Sequence, residues 1–181
     1  FRSKNTVRFA PNASIEWSYP LLAKSILIEP KGMLIAAPYD SKRKHIPNED
    51  CHNFVFDDTS IFLPNRYLGI DRFDEGKRGV YGVSVASIDG VNLFLGKDTR
   101  IDKKQSIHPS NYIALLSAKI AKDIHFRHKI SIDKRLKNPS YAESGLSIGP
   151  KILSVDLSHV YSNNLDLKKP ISQISTELKS Q

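Results

Sequence analysis

Two apolar stretches joined by a charged turn constrain this chain more than any other part of it. Arg66-Tyr67-Leu68-Gly69-Ile70-Asp71-Arg72-Phe73 leads into Asp74-Glu75-Gly76, and Gly79-Val80-Tyr81-Gly82-Val83-Ser84-Val85-Ala86-Ser87-Ile88 then ends on Asp89-Gly90. The first stretch reads as a buried strand with one carboxylate at its centre, the second as an apolar strand folded back on it. Asp74-Glu75-Gly76 and Asp89-Gly90 have the turn chemistry of tight hairpins. With Val91 to Leu95 as a third strand, an antiparallel meander is expected. A buried, unpaired carboxylate costs several kcal/mol, so Asp71 is expected to face a metal ion or another cation.

Upstream, residues 1 to 63 read as a small β-rich module. Thr6 to Phe9, Ser14 to Tyr19, Ala23 to Glu29 and Gly32 to Ala37 are strand-like, prolines at 11, 20, 30 and 38 punctuate them, and Pro30-Lys31-Gly32 reads as a turn. Asp40 to Asp50 reads as an exposed loop before a strand at Asn53 to Phe56. Trp17, Tyr19, Phe54 and Phe56 are expected to fill the core of this module rather than to stack on bases. Downstream, a helix is expected from Ser110 to about Ile124. Tyr112, Ile113, Leu116, Ile120 and Ile124 would line one face, and Lys119, Lys122 and Asp123 the other. Lys151 to Leu157 reads as a further apolar strand with Asp156 near its end, and residues 162 to 181 as a polar segment of mixed helical potential.

The chain has 181 residues and a formal charge of +8, with a pI of about 9.5. Cationic side chains are densest between Lys119 and Lys137. Such an excess favours a polyanionic partner through phosphate contacts and counterion release, which points to nucleic acid, although a ribosomal-type structural protein, a membrane-surface protein or an ordinary basic enzyme could share this charge. Lys119, Lys122, Arg127, Lys129, Lys134 and Arg135 are the expected backbone contacts. The single cysteine, Cys51, excludes an intramolecular disulfide framework and fits a reducing, cytoplasmic compartment. No apolar run approaches the ~20 residues of a membrane-spanning helix, so no membrane contact is expected. The start at Phe1 suggests a fragment, a processed product or part of a longer chain. His125 and His128 are spaced to share a helical face but lack a third ligand nearby, and they read as exposed.

Two strand-borne carboxylates, Asp71 and Asp156, can meet at one divalent cation if their strands end on the same side of a sheet. Oxygen ligands favour Mg²⁺ or Mn²⁺, and such a centre can activate water for phosphodiester cleavage.

Leu68-Gly69-Ile70-Asp71-Arg72 followed by Gly82-Val83-Ser84-Val85 resembles the first catalytic segment of RuvC-like nucleases, especially the RNA-guided nucleases of type V CRISPR systems and their transposon-encoded relatives. Ile152-Leu153-Ser154-Val155-Asp156-Leu157, with Asn163-Asn164-Leu165-Asp166-Leu167-Lys168-Lys169 beyond it, is similar to the family's second segment, where a strand ends in Glu-Asp-Leu. The resemblance spans residues 64 to 175. It implies an α/β fold, an RNase H-like mixed sheet with helices over 64–181, preceded by a wedge-like oligonucleotide-binding module over 1–63. It also implies a metal-dependent hydrolase that cuts DNA under a guide RNA, with Asp71 and Asp156 catalytic.

The family's Glu falls on Val155. Either Asp156 substitutes after a one-residue shift in register, which would move it to the opposite face of the strand, or the second ligand is missing. A non-catalytic nucleic-acid-binding module and a Piwi-like fragment are the alternative readings.

Overall fold

The computed structural model describes residues 11–39, 59–66, 73–102, 111–133, 139–150, 152–163 and 170–180. These residues form one antiparallel sheet: β1 (Ala13–Ser18), β2 (Leu21–Ala23), β3 (Ile26–Ala37), β4 (Gly76–Ser87), β5 (Val91–Arg100), β6 (Asn111–Ala121), β7 (Ile124–Asp133), β8 (Tyr141–Ile148), β9 (Leu153–Ser162) and β10 (Ile171–Ser180). From β3 onward each strand pairs with its neighbour in sequence. β1 and β2 share one edge, both pairing with β3. Pro20 lies between them on this edge, next to Tyr19, whose N–H donates to the Pro30 carbonyl at 3.1 Å.

Among the described residues there is no α-helix, which overturns the α/β, RNase H-like expectation. The segment expected to be helical from Ser110 to Ile124 is β6, the turn Lys122-Asp123 and the start of β7. Tyr112, Leu116 and Ile120 are four apart, a spacing that places residues on one face of a strand as well as of a helix. The polar segment after Ser162 holds β10. Pro30-Lys31-Gly32 is not a turn but the middle of β3, in continuous register with Gly82, Tyr81 and Val83 of β4. Residues 1–63 and 64–181 therefore contribute neighbouring strands to one sheet. The meander is present from β3 onward, but the strand expected at Arg66 to Arg72 lies largely outside the described residues, as do those at Thr6 to Phe9 and Asn53 to Phe56.

The two ends of the sheet differ. At one end the connections are short: 24–25, 88–90, 122–123 and 149–152. Gly90, at φ 84°, closes the β4–β5 turn in the left-handed region, and its N–H donates to the Ser87 carbonyl at 3.0 Å. These turns also bond to their neighbours, Ile88 N–H to Ser25 O, Lys119 N–H to Gly90 O and Gly149 N–H to Asp123 O. At the other end the connections are long, covering 38–75, 101–110, 134–140 and 163–170.

Side chains alternate between two faces along each strand, and the register aligns them across strands. One face carries Ile28, Gly32 and Leu34 of β3, Val83 and Val85 of β4, Leu93 and Leu95 of β5, Ala114 and Leu116 of β6, Phe126 and Ile130 of β7, Leu146 of β8 and Val155 and Leu157 of β9. The opposite face carries Glu29, Lys31, Ser84, Asn92, Ser117, Lys119, His125, Arg127, Lys129, Glu143, Ser147, Asp156, Ser158, Glu177 and Lys179.

Burial follows neither face alone. Among the described residues the buried apolar side chains are Met33, Ile35, Ile61, Val80, Phe94 and Ile113. All but Ile61 sit on the mostly polar face toward its long-connection end, where Ile61 of the β3–β4 connection covers them. Trp17 and Tyr19, expected in a core, are more than half exposed, and their rings stack with centroids 6.5 Å apart.

Candidate functional site

The polar face is concave. A cavity of about 620 Å³ lies over it, lined by Asn92, Ser117, Lys119, His125, Arg127, Glu143, Ser147, Asp156, Ser158, Glu177 and Lys179 among others. Each comes from a strand position that alternation points inward. Arg127 Nη2 donates to Glu143 Oε1 at 3.1 Å, and Lys179 Nζ donates to Asp156 Oδ2 at 2.6 Å. Ser147 Oγ also donates to Asp156, so this carboxylate ties β8, β9 and β10 together. Lys129 lies over the Tyr141 ring, 5.7 Å from its centroid. A surface of paired charges and hydroxyls of this kind holds water and accepts polyol and ionic groups at small desolvation cost.

The long-connection end of the same face is closed by a buried charge cluster. Arg66, from the β3–β4 connection, donates through Nε and Nη2 to both oxygens of Asp74, the second at 3.1 Å, and through Nη1 to Asp98 of β5. Arg100 of β5 donates to Asp74 Oδ1 at 2.5 Å and to the Glu75 carbonyl. Arg78 of β4 donates to the carbonyls of Ile61, at 3.0 Å, and Leu63, with its Nε 3.4 Å from Asp74 Oδ2. Three guanidinium groups thus share two carboxylates and three backbone carbonyls.

Burial alone would push the Asp74 carboxyl up, but Arg66, Arg100 and Arg78 outweigh it and hold the group at about 2. Desolvation opposes the charge on Arg66, and Asp98 and Asp74 more than offset it, raising its pKa further. Beneath the cluster the Phe94 ring lies flat over Gly82 and Gly96, where a Cβ would come within 2.8 and 2.7 Å of ring atoms. Phe62 meets Phe94 edge-on at 6.2 Å between centroids.

The residues singled out in the sequence are placed differently. Asp71, Lys134 and Arg135 lie outside the described residues. Asp156 is on the polar face beside Lys179, and among the described residues no three His, Cys, Asp or Glu side chains gather where they could hold a metal ion. Lys119, Arg127 and Lys129 share the polar face, whereas Lys122 is in the β6–β7 turn. His125 points to the polar face and His128 to the apolar one, where its Nδ1 is 2.9 Å from Ser144 Oγ. Residues three apart diverge in this way because the segment is a strand.

Arg78, Asp98 and Arg100 were not among the expected site residues. The signal that finds them is alternation along β4 and β5, which puts charges among the inward positions of otherwise apolar strands.

The family model for LptD, LPS transport system D, matches residues 2–179, and no curated protein matches the chain. This match overturns the resemblance to RuvC-like nucleases and, with it, the readings as an RNA-guided DNA nuclease, CRISPR hydrolase or nucleic-acid-binding module. The match likewise overturns guide RNA and DNA as partners, since the family it names is one of LPS transport. The cytoplasmic, membrane-free expectation gives way to the outer membrane. Net positive charge by itself does not distinguish a nucleic acid from a phosphorylated glycolipid.

Proposed function

We propose, because the chain belongs to the LptD family, LPS transport system D, that its sheet is a section of transmembrane β-barrel wall serving lipopolysaccharide transport. The observation that carries this reading is the division of the sheet into one apolar and one polar face over strands that mostly run 8 to 12 residues. A strand of about 9–11 residues, tilted, crosses a hydrocarbon core, and alternation of apolar outward with polar inward residues distinguishes such barrels. Short turns at one end and long connections at the other fit the same architecture.

The apolar face meets lipid tails and the polar face lines the aqueous side of the wall. The paired charges of the cavity offer sugar hydroxyls and phosphates exchangeable hydrogen bonds. The Arg66 cluster pins part of the long β3–β4 connection across the polar face at the long-connection end. Among the described residues no strand pairs with the outer edge of β1 or of β10. In a bilayer the backbone groups of such an edge need partners, which further strands would supply by continuing the ladder.

The test uses Trp17, the sole tryptophan, which points from the apolar face. Refolding the full chain into vesicles of brominated phosphatidylcholine should quench its fluorescence. Emission that stays unquenched in folded protein would exclude a lipid-facing apolar surface.

A further inference from the structure

The outward face of the described strands carries two lysines, Lys77 and Lys97, and no carboxylate. Both lie toward the long-connection end. Lys97 is the more enclosed. Its neighbours across the β4–β5 and β5–β6 ladders are Tyr81 and Tyr112, and its Nζ lies 5.9 Å from the Tyr81 ring centroid and 4.7 Å from that of Tyr112. The same row continues through Gly32 to Trp17, so Trp17, Tyr81, Lys97 and Tyr112 form one band across four strands with only a glycine between the first two aromatics.

Aromatic rings in such a band settle at the headgroup level of a membrane, where one end of the ring is apolar and the other wet. A lysine held between two ring faces has its stem covered and its ammonium directed to that level. Among the described strands no carboxylate on this face compensates the ammonium, an arrangement that suits an anionic group outside the protein.

We infer that Lys97, flanked by Tyr81 and Tyr112, is a binding site on the outer wall for the phosphate of a lipid headgroup in the leaflet at the long-connection end. The inference rests on the reading that the apolar face meets lipid. Lys97 supplies the charge, and the two phenol hydroxyls beside it supply donors to the phosphate oxygens.

The experiment reconstitutes the full chain in phosphatidylcholine vesicles containing a minor fraction of spin-labelled phosphatidic acid, and measures the motionally restricted fraction against spin-labelled phosphatidylcholine. One lysine near a membrane phosphate corresponds to roughly fivefold preference for the anionic lipid. The wild type should show that preference, K97Q should lose it, Y81F/Y112F should weaken it, and K77Q should retain it.

Quenching of Trp17 by brominated lipid, measured on each variant, separates the two levels of argument. Unquenched Trp17 in the wild type defeats the lipid-facing reading itself. Quenched Trp17 with selectivity unchanged in K97Q, or lost equally in K77Q and K97Q, overturns the site while leaving that reading intact.

Discussion

Arg66 and Asp98, separated by 32 residues, form a hydrogen-bonded ion pair whose side chains are 2% and 1% exposed. The pair joins a connection to the interior of a strand, so it fixes a loop rather than a hairpin. Removing one partner of a buried pair leaves a charge without compensation, at a cost of about 3–5 kcal/mol. Arg66→Gln is therefore expected to lower the urea midpoint of the folded protein markedly and to open residues 59–66 to proteolysis. Arg66→Gln combined with Asp98→Asn should cost less than the sum of the two single changes. Additive losses would show that the two residues do not act as a unit.

The same cluster predicts a pH dependence. Asp74 is held at about 2, below its ordinary 3.8. A carboxyl depressed on folding contributes stability that is fully present above its unfolded value and is lost as pH falls through the folded one. The contribution, roughly 2 kcal/mol, should thus be intact above pH ~4 and decline between about 4 and 2. Hydrogen exchange of residues 59–66, followed over this range, should accelerate in the wild type. In Asp74→Asn it should be fast throughout and show little change with pH across the window.

Phe94 fits only because Gly82 and Gly96 leave room for its ring. A methyl group at Gly96 would meet Phe94 Cζ at 2.7 Å and Ile61 Cδ1 at 3.4 Å. Gly96→Ala should therefore destabilise the protein by about 1–3 kcal/mol, the usual cost of overpacking. The loss should be smaller in a Phe94→Leu background, where the ring is gone. Equal losses in both backgrounds, measured by denaturant unfolding, would locate the strain elsewhere.

Parts of this arrangement are legible in the sequence. Val80 to Ile88, Val91 to Leu95 and the Asp89-Gly90 turn read as a hairpin because strand pattern and turn chemistry agree there, and the structure has them as β4, β5 and their connection. The cations at 119, 127 and 129 are visible as a cluster, but a helical reading puts them on a convex surface, whereas alternation on β6 and β7 turns them into the concave face. The buried cluster is hidden for another reason. Arg66 meets Asp74 and Asp98 across 8 and 32 residues, so no local pattern marks them as partners. What the apolar face touches is not encoded in alternation at all. A strand half-buried against a protein core and one facing lipid have the same period, and only the joint pattern over many consecutive strands, with one face mostly polar, separates them.

Leu116 and Ser117 are adjacent on β6 and face opposite ways, Leu116 beside Leu93 on the apolar face and Ser117 opposite Asn92 on the polar one. Arginine at a lipid-facing position near the middle of a bilayer costs about 2–4 kcal/mol, while the same residue on the aqueous side of the wall finds water and the carboxylates around it. Leu116→Arg should therefore shift the urea unfolding transition in vesicles by that amount, and Ser117→Arg, facing a cavity that also holds Glu143 and Asp156, should shift it by less than about 1 kcal/mol. Equal penalties in vesicles would mean that the two faces meet the same medium, and would remove the physical basis for treating this sheet as a membrane wall.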